Sequence, residues 1–355
     1  MSRTRSSTPS WRHTLVAISL STAVLVGAAP PVDAVGSRGT VTLVARPGER
    51  MIAYAGLAVA WPGTRVQVRS GHVVRGLVAE PVPASTATLQ RLVLGEWADV
   101  ISTPVPRSGS FVMPLPAFYY GHFSYRLRVT AADADPVETP ALPVAVVPSY
   151  TPRGRATGYT LINSNPVGRW DPCTPIGYRV NVAKAPKGAL RDVRTALARI
   201  AHATGLQFDY LGATDVVPFA IDGPFDPAVA DLVVAWAAPH QAPGLFPPGT
   251  YAQGGPELRG GAHDVAGNPV RQIYQGGVTF NTAFNSVLEP RAGSGFTRVR
   301  ALMHELGHAV GLFHVTGDPA EIMSPSLSRG RAEWGAGDLA GLEAVGAVNG
   351  CVTAE

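Results

Sequence analysis

The sequence predicts a two-domain α+β protein, in which an all-β sandwich precedes a domain of mixed helices and strands. Three observations support this prediction. The chain has 355 residues, enough for two domains of ordinary size, and 46% of them are hydrophobic. From residue 39 to residue 148, short β-branched runs alternate with turn residues. Beyond residue 160, apolar residues also recur at helical spacing, so helices join the strands.

The first 34 residues have the pattern of a cleaved secretory signal peptide. Three arginines, the last of them Arg12, precede an apolar run from Leu15 to Ala29, and small residues follow up to Ala34. A membrane anchor is the alternative, but this run is shorter than the roughly 20 residues that a spanning helix needs. No later stretch of the sequence is long and apolar enough to span a bilayer. We therefore expect cleavage near Ala34 and a secreted, extracellular product with no stable membrane anchor.

The segment 39–148 alternates inward apolar and outward polar residues, as strands of an antiparallel sandwich do. Runs such as Arg91–Leu94 and Tyr125–Val129 are separated by turn residues. The stretch Ser108–Phe111, together with the run that begins at Tyr125, resembles bacterial immunoglobulin-like or fibronectin-like modules. This resemblance implies an Ig-like β-sandwich, and the segment contains no constellation of catalytic residues.

Residues 161–355 are predicted to form the second domain, after a linker over residues 149–160 that is rich in Pro, Gly and Arg. Apolar residues at helical spacing predict a helix at 190–200, and two further helices are expected at 297–310 and 338–347. Gly205 is placed to end the first of them. Runs of β-branched and aromatic residues predict strands at 178–182, 231–236 and 277–281.

The charge balance gives no sign of a nucleic-acid partner. The chain has 29 basic and 25 acidic residues and a net charge of +4, and Lys184 and Lys187 are its only lysines. No stretch concentrates the arginines as a nucleic-acid footprint would. Loss of residues 1–34, which hold three arginines and one aspartate, leaves a net charge of +2.

The sequence from His304 onward reads His-Glu-Leu-Gly-His-Ala-Val-Gly-Leu-Phe-His, which has the residue types and spacing of a metal centre. His304 and His308 are one helical turn apart, so both imidazoles project from the same face of a helix. Gly311 can take the left-handed conformation that ends a helix, and the resulting turn lets His314 approach as a third ligand. Three neutral imidazoles around Zn²⁺ leave a fourth tetrahedral position open for water. The carboxylate of Glu305 can take a proton from that water.

This stretch matches the signature HExxHxxGxxH of the metzincin zinc proteases at every fixed position. From residue 155 to the C-terminus, the chain resembles matrixin-like secreted bacterial peptidases. The resemblance implies a twisted mixed sheet, an active-site helix, a C-terminal helix and zinc-dependent hydrolysis of peptide bonds. It also implies a methionine turn beneath the metal, and Met323, which follows His314 by nine residues, is placed for that role.

The resemblance also implies where substrate binds. The strand before the active-site helix corresponds to Val278–Asn281, and the upper rim of the cleft corresponds to residues 249–254. The implied substrate-binding residues are Thr250, Tyr251, Ala252 and Gln253. A plain loop is the alternative for this segment. Two positions depart from the family pattern: Val315 follows the third histidine, and no tyrosine stands two residues after Met323 to add a further zinc ligand.

The chain has two cysteines, Cys173 and Cys351, near the two ends of the second domain. In an exported protein an even pair predicts a disulfide. The alternative is a Cys173 thiol that binds zinc and keeps the enzyme latent, because its Pro-Cys context resembles matrixin propeptides. We favour the disulfide, since a partner cysteine exists.

Other histidines and one loop are weaker candidates. His202, His240 and His263 are not expected to be catalytic. Asp264 follows a Gly-rich stretch, Gly260–His263, which we expect to be a loop. This loop could hold Ca²⁺ or a second zinc, although a solvated loop is the interpretation that we favour.

The expected function is therefore that of a monomeric, secreted zinc endopeptidase that acts on protein or peptide substrates with Glu305 as general base. The alternative is a secreted binding protein in which the sandwich carries the function and the zinc domain is inactive. The intact Glu305 argues against that alternative. The segment 39–148 is either an accessory module, which we favour, or a propeptide that is removed on activation.

Overall fold

The structure, a computed structural model, describes residues 43–132, 134–220, 225–326 and 328–354. It is mixed α+β, with many strands and few helices, as the sequence predicts. The predicted signal peptide, residues 1–34, lies outside the described residues. Within the ranges given above, no helix is long and apolar enough to cross a membrane.

Ten strands within residues 43–147 form two sheets. Their bounds are β1 Arg50–Tyr54, β2 Leu57–Trp61, β3 Arg65–Gln67, β4 Val73–Val78, β5 Thr86–Val93, β6 Glu96–Pro104, β7 Ser110–Pro114, β8 Gly121–Ala131, β9 Ala134–Glu138 and β10 Leu142–Val147. One sheet has the order β1-β2-β4-β7 and the other β3-β10-β8-β5-β6, with β9 paired to β8. Trp61 from the first sheet and Leu89 and Tyr125 from the second are fully buried in one shared hydrophobic cluster. The two sheets therefore pack face to face as a sandwich.

The rest of the described chain contains nine strands and three α-helices. Their bounds are β11 Thr160–Leu161, β12 Gly168–Arg169, β13 Ile176–Val180, α1 Ala189–Thr204, β14 Phe208–Ala213, β15 Leu232–Ala237, β16 Ala252–Asp264, β17 Pro269–Asn281, α2 Arg298–Ala309, β18 Leu312–Phe313, α3 Ala336–Ala344 and β19 Val352–Ala354. One sheet has the order β14-β13-β15-β17-β16-β19, with β12 paired to β17, and β11 pairs with β18. These elements enclose a second hydrophobic cluster, separate from that of the sandwich.

The large sheet is parallel in its centre and antiparallel at one edge. Strands β14, β13, β15 and β17 run parallel, and β15 is buried along its whole length, as expected for a continuous apolar run. Strand β16 pairs antiparallel with β17. On its other side β16 pairs with β19 only over Ala262–Asp264, so among the described strands none covers the edge of β16 from Ala252 to Arg259.

Helices α1 and α2 pack against each other through a buried ion pair. The Arg298 guanidinium donates from Nε to Asp192 Oδ2 at 2.8 Å, which ties the start of α2 to the first turn of α1. The Thr297 side chain caps α2 by accepting the Arg300 backbone N–H. At the other end, Trp170 Nε1 donates to the carbonyl of Ala309 at 3.0 Å. Helix α2 is therefore fixed at both ends.

The cysteine prediction is confirmed, because Cys173 and Cys351 form a disulfide with their Cα atoms 5.4 Å apart. The alternative of a free Cys173 thiol on zinc is thereby excluded. The loop predicted over Gly260–Asp264 is wrong, since these residues are the end of β16. The strand continues because His263 pairs with Pro269 across the hairpin and β19 adds a further strand outside it.

Asp264 itself has a structural role in the β16–β17 hairpin. Its carboxylate accepts the backbone N–H groups of Ala266 and Asn268 at 2.9 Å and the side-chain amide of Asn268 at 2.9 Å. Among the described residues, no group of three possible metal ligands includes Asp264. The carboxylate therefore holds a turn, and the structure gives no support to the calcium or second-zinc interpretation.

The segment predicted as a linker packs closely against the second half of the chain. The hydroxyl of Tyr150 donates to the carbonyl of Trp334 at 3.2 Å, and the carbonyl of Arg153 accepts the N–H of Ala336 at 2.7 Å. Strand β11 then pairs with β18, and the N–H of Ile162 donates to Gly311 at 2.9 Å. These contacts bring the segment next to the residues that follow helix α2.

Candidate metal centre

Helix α2 and the turn after it position the three histidines. His304 and His308 are buried on one face of the helix, one turn apart. The helix ends where the N–H of Gly311 bonds the carbonyl of His308 and Gly311 takes a φ of +112°. Strand β18 follows at once, and its pairing with β11 directs the chain so that His314 returns toward the helix.

The three imidazoles converge on one point. The Nε2 of His314 lies 3.1 Å from the Nε2 of His304 and 3.1 Å from that of His308. The Nδ1 atoms of His304 and His308 bond the carbonyl oxygens of Ile322 and Leu312, at 2.7 and 2.8 Å. A carbonyl only accepts, so both Nδ1 atoms carry the hydrogen and both Nε2 atoms are bare acceptors. In a tetrahedral zinc site the Zn–N bonds are about 2.0–2.1 Å long, so the ligand nitrogens lie about 3.3 Å from one another. The Nε2–Nε2 distances of 3.1 Å found here are close to that value, so the three histidines fit a zinc ion.

Burial keeps the imidazoles neutral at pH 7. Desolvation lowers the pKa of His304 to about 3, and the charge of a protonated His308 would lower it further. Desolvation lowers the pKa of His308 to about 4 and also lowers that of His314. The neutral imidazole is the form that binds metals, so the site is prepared for a cation without a change of protonation.

Glu305 is buried beside the first of these histidines, and two donors hold its carboxyl group. These donors are the hydroxyl of Tyr251, the residue just before β16, and the backbone N–H of Gly254, which lies inside that strand. Burial raises the pKa of Glu305 to about 8, and the two donors offset only part of this increase. A nearby divalent cation favours the charged carboxylate, so ionisation of this group and metal binding are linked.

Met323 lies directly under helix α2. A β-carbon on Gly307 would come within 2.6 Å of the Met323 sulfur, so the absence of a side chain there allows this close packing. The backbone N–H groups of Ile322 and Met323 donate to the Asp338 carboxylate at 2.5 and 3.1 Å. Asp338 therefore fixes the segment whose Ile322 carbonyl orients His304.

A cleft of about 470 Å³ opens over the histidines and Glu305. The predicted rim residues line it: Thr250, Tyr251, Ala252 and Gln253. Tyr251 also faces the buried carboxyl group, because its hydroxyl is directed to Glu305 and its ring centroid lies 6.4 Å from that of His304. His202, His240 and His263 do not line the cleft.

Several residues of the site were not predicted. Ile162, Phe313 and Pro325 also line the cleft, and the Phe313 side chain is half exposed there. Ile162 reaches the site through the pairing of β11 with β18, which no local sequence pattern indicates. The position of Asp338 in the first turn of α3 is one sequence feature that indicates its role, because acidic residues there often accept nearby backbone N–H groups.

Comparison with known proteins gives no independent assignment. No protein-family model matches the chain, and no curated protein is similar to it. One solved structure, a family 123 glycoside hydrolase from Clostridium perfringens, aligns with 49% of this chain and 33% of its own, at 11% identity and a TM-score of 0.15. A TM-score this low supports no conclusion about fold or function.

Proposed function

We propose that this chain is a secreted, zinc-dependent endopeptidase of the metzincin type, similar to matrixin-like peptidases. The observation that carries the proposal is the convergence of three imidazoles beside a buried glutamate at the floor of a cleft. Metal-binding histidines alone would suit many functions. A carboxyl group on the residue next to the first ligand adds a base where a hydrolytic water would stand.

The strand edge beside the cleft suits an extended peptide as substrate. Strand β16 begins at the cleft, and its outer edge from Ala252 to Arg259 is not covered by another described strand. A peptide can add to such an edge through backbone hydrogen bonds, which demand little of its sequence. In this arrangement the scissile bond lies near Ala252 and over Glu305.

Bound zinc supplies a Lewis acid that polarises the peptide carbonyl and acidifies water. The Glu305 carboxylate takes a proton from the attacking water and then delivers it to the nitrogen of the leaving amine. The donors from Tyr251 and Gly254 hold this carboxylate in one orientation, so both proton transfers start from the same geometry. The Nδ1 bonds of His304 and His308 keep their Nε2 atoms directed at the metal.

Three further features are consistent with this proposal. The mixed sheet with an antiparallel edge strand, the helix α2 and the later helix α3 are the elements that the family resemblance implies. The disulfide suits an exported protein. We also propose that residues 39–148 are an Ig-like accessory module, residues 149–160 a connecting segment and residues 161–355 the catalytic domain.

The test compares cleavage of casein and zinc content in the mature protein and three variants. Glu305→Gln keeps the size of the side chain, so it should retain zinc while cleavage falls at least about 100-fold. His308→Ala should lose the metal, and Glu80→Gln, an exposed carboxylate in the sandwich, is the matched control with full activity.

Undiminished cleavage by the Glu305→Gln variant would overturn the assignment of the base. Absence of cleavage by a zinc-loaded wild-type protein, across a broad peptide library, would instead favour the binding-protein alternative.

A further inference from the structure

A second cavity lies where helix α1 meets the sandwich and the segment after β10. Its volume is about 560 Å³, and it shares no lining residue with the cleft over the histidines. Helix α1 contributes a stripe of residues at helical spacing: Arg191, Arg194, Thr195, Ala198, Arg199 and His202. An adjoining cavity of about 330 Å³ shares Arg199 and Glu333 with it, so the two form one continuous groove. We call it the arginine groove.

The positive charge in the arginine groove is largely uncompensated. Among the described residues, no carboxylate lies within 4.0 Å of the Arg194 or Arg199 guanidinium. Arg191 is 3.7 Å from Asp192, but that carboxylate is buried and already bonded to Arg298. The lining therefore offers two guanidinium groups that have no carboxylate partner among the described residues, although Arg194 also bonds the Tyr178 side chain, and a third that is only weakly paired.

Part of the groove is held rigid before any ligand arrives. The Arg194 guanidinium stacks over the Tyr210 ring, 4.8 Å from its centroid, which limits the entropy that it would lose on binding. Tyr150 lines the groove, and its hydroxyl is bonded to the carbonyl of Trp334. Desolvation lowers the pKa of His202, and Arg69 and Arg199 lower it further, so the charge comes from arginine alone at pH 7.

We propose that the arginine groove binds an acidic segment of a polypeptide. The planar guanidinium fork pairs with carboxylates through two parallel hydrogen bonds. Arg191 and Arg199 are about 12 Å apart along the helix, which about four residues of extended peptide span at about 3.3 Å each.

Because Glu333 also lines the arginine groove, we expect the groove to prefer a peptide over a polymer that carries only negative charge. A peptide has backbone N–H groups that can donate to this carboxylate, whereas a polyphosphate would bring only like charge against it. The inference does not depend on peptide hydrolysis, since the groove and the cleft are lined by different residues.

The experiment measures binding by fluorescence anisotropy with a short fluorescein-labelled peptide of Asp, Glu and Gly. All proteins carry Glu305→Gln so that cleavage does not consume the probe. The double variant Arg194→Gln, Arg199→Gln should bind at least about tenfold more weakly, because two charge-assisted contacts are lost. The control Arg50→Gln, Arg107→Gln removes two exposed arginines from the sandwich and should bind as the parent does.

Two results would overturn the proposal. One is equal affinity of the groove variant and the control variant, with both shown to be folded by thermal melting. The other is tighter binding of polyphosphate than of the acidic peptide through the same two arginines, which would make the ligand a phosphate polymer. A neutral peptide of Asn, Gln and Gly should show at least about tenfold weaker binding than the acidic one.

Discussion

Replacing Gly254 with alanine should displace strand β16 from helix α2. A β-carbon at this position would lie 2.4 Å from the backbone oxygen of Glu305 and 2.9 Å from its carbonyl carbon. Real β-carbons essentially never approach another heavy atom within 3.0 Å. The two backbones must therefore separate by about 0.6–1 Å, because no side-chain rotation can relieve a contact with main-chain atoms.

This separation would disturb both groups that hold the proposed base. The N–H of Gly254 and the hydroxyl of Tyr251, three residues earlier in the chain, both donate toward the Glu305 carboxyl group. A misplacement of about 1 Å can cost about 100-fold in rate. We expect kcat/KM to fall about 10- to 100-fold, or about 1.4–2.7 kcal/mol of transition-state stabilisation. The free energy of unfolding should fall by about 1–3 kcal/mol, as in other overpacked sites.

Gly255→Ala is the matched control, because it makes the same change at the next position of the strand. There the nearest heavy atom to the new β-carbon is the end of the Phe219 ring, at 3.9 Å. The assay is kcat/KM on a fluorogenic peptide, with zinc content and urea unfolding measured on the same samples. Equal kcat/KM for the two variants, with zinc bound in both, would contradict the predicted displacement.

Other substitutions test the stability of the fold and the specificity of the cleft. Serine at Cys173 and Cys351 should lower the free energy of unfolding by up to about 5 kcal/mol, since the disulfide links residues 178 apart, and an unchanged urea midpoint would contradict this. The half-exposed Phe313 ring in the cleft should favour an apolar substrate residue near the scissile bond, so Phe313→Ala should weaken that preference, and a peptide-library profile identical to wild type would count against it. Burial and the nearby Asp338 raise the pKa of Glu321 to about 7, so the folded state holds this proton more tightly than the unfolded state does. Stability should therefore decline as the pH rises from about 5 to about 8, and Glu321→Gln should remove this part of the decline in melting temperature.

The local geometry of the candidate metal centre could be predicted from the sequence because short-range spacing determines it. His304 and His308 share a face through the helical repeat, and Gly311 turns the chain for His314. The groups that orient these ligands could not be predicted in the same way. The Ile322 carbonyl reaches His304 only because Asp338, on a different helix, holds the intervening segment.

In the fold, too, the features set by local sequence patterns could be predicted, and those set by long-range pairing could not. Alternation and helical spacing predicted the mixed α+β composition and the approximate positions of α1 and α2, because these patterns arise within single elements. The Gly-rich residues 260–264 predict a loop, but the structure has them as the end of the strand Ala252–Asp264. Its glycines weaken the local strand signal, and the strand exists through pairing with β17 and β19.

The contacts of the sandwich support the proposal that it is an accessory module rather than an inhibitory propeptide. A propeptide that blocks a metal centre must cover it, yet none of the cleft-lining residues belongs to strands β1–β10. The sandwich instead contacts the end of α1, where the Tyr120 N–H bonds the His202 carbonyl, and the side chain of Glu343 on α3. Val348, near the C-terminus, packs into the sandwich cluster. Removal of the sandwich would expose apolar surface around Val348 and would not open the cleft further. The proposed enzyme can therefore keep this module without blocking its substrate.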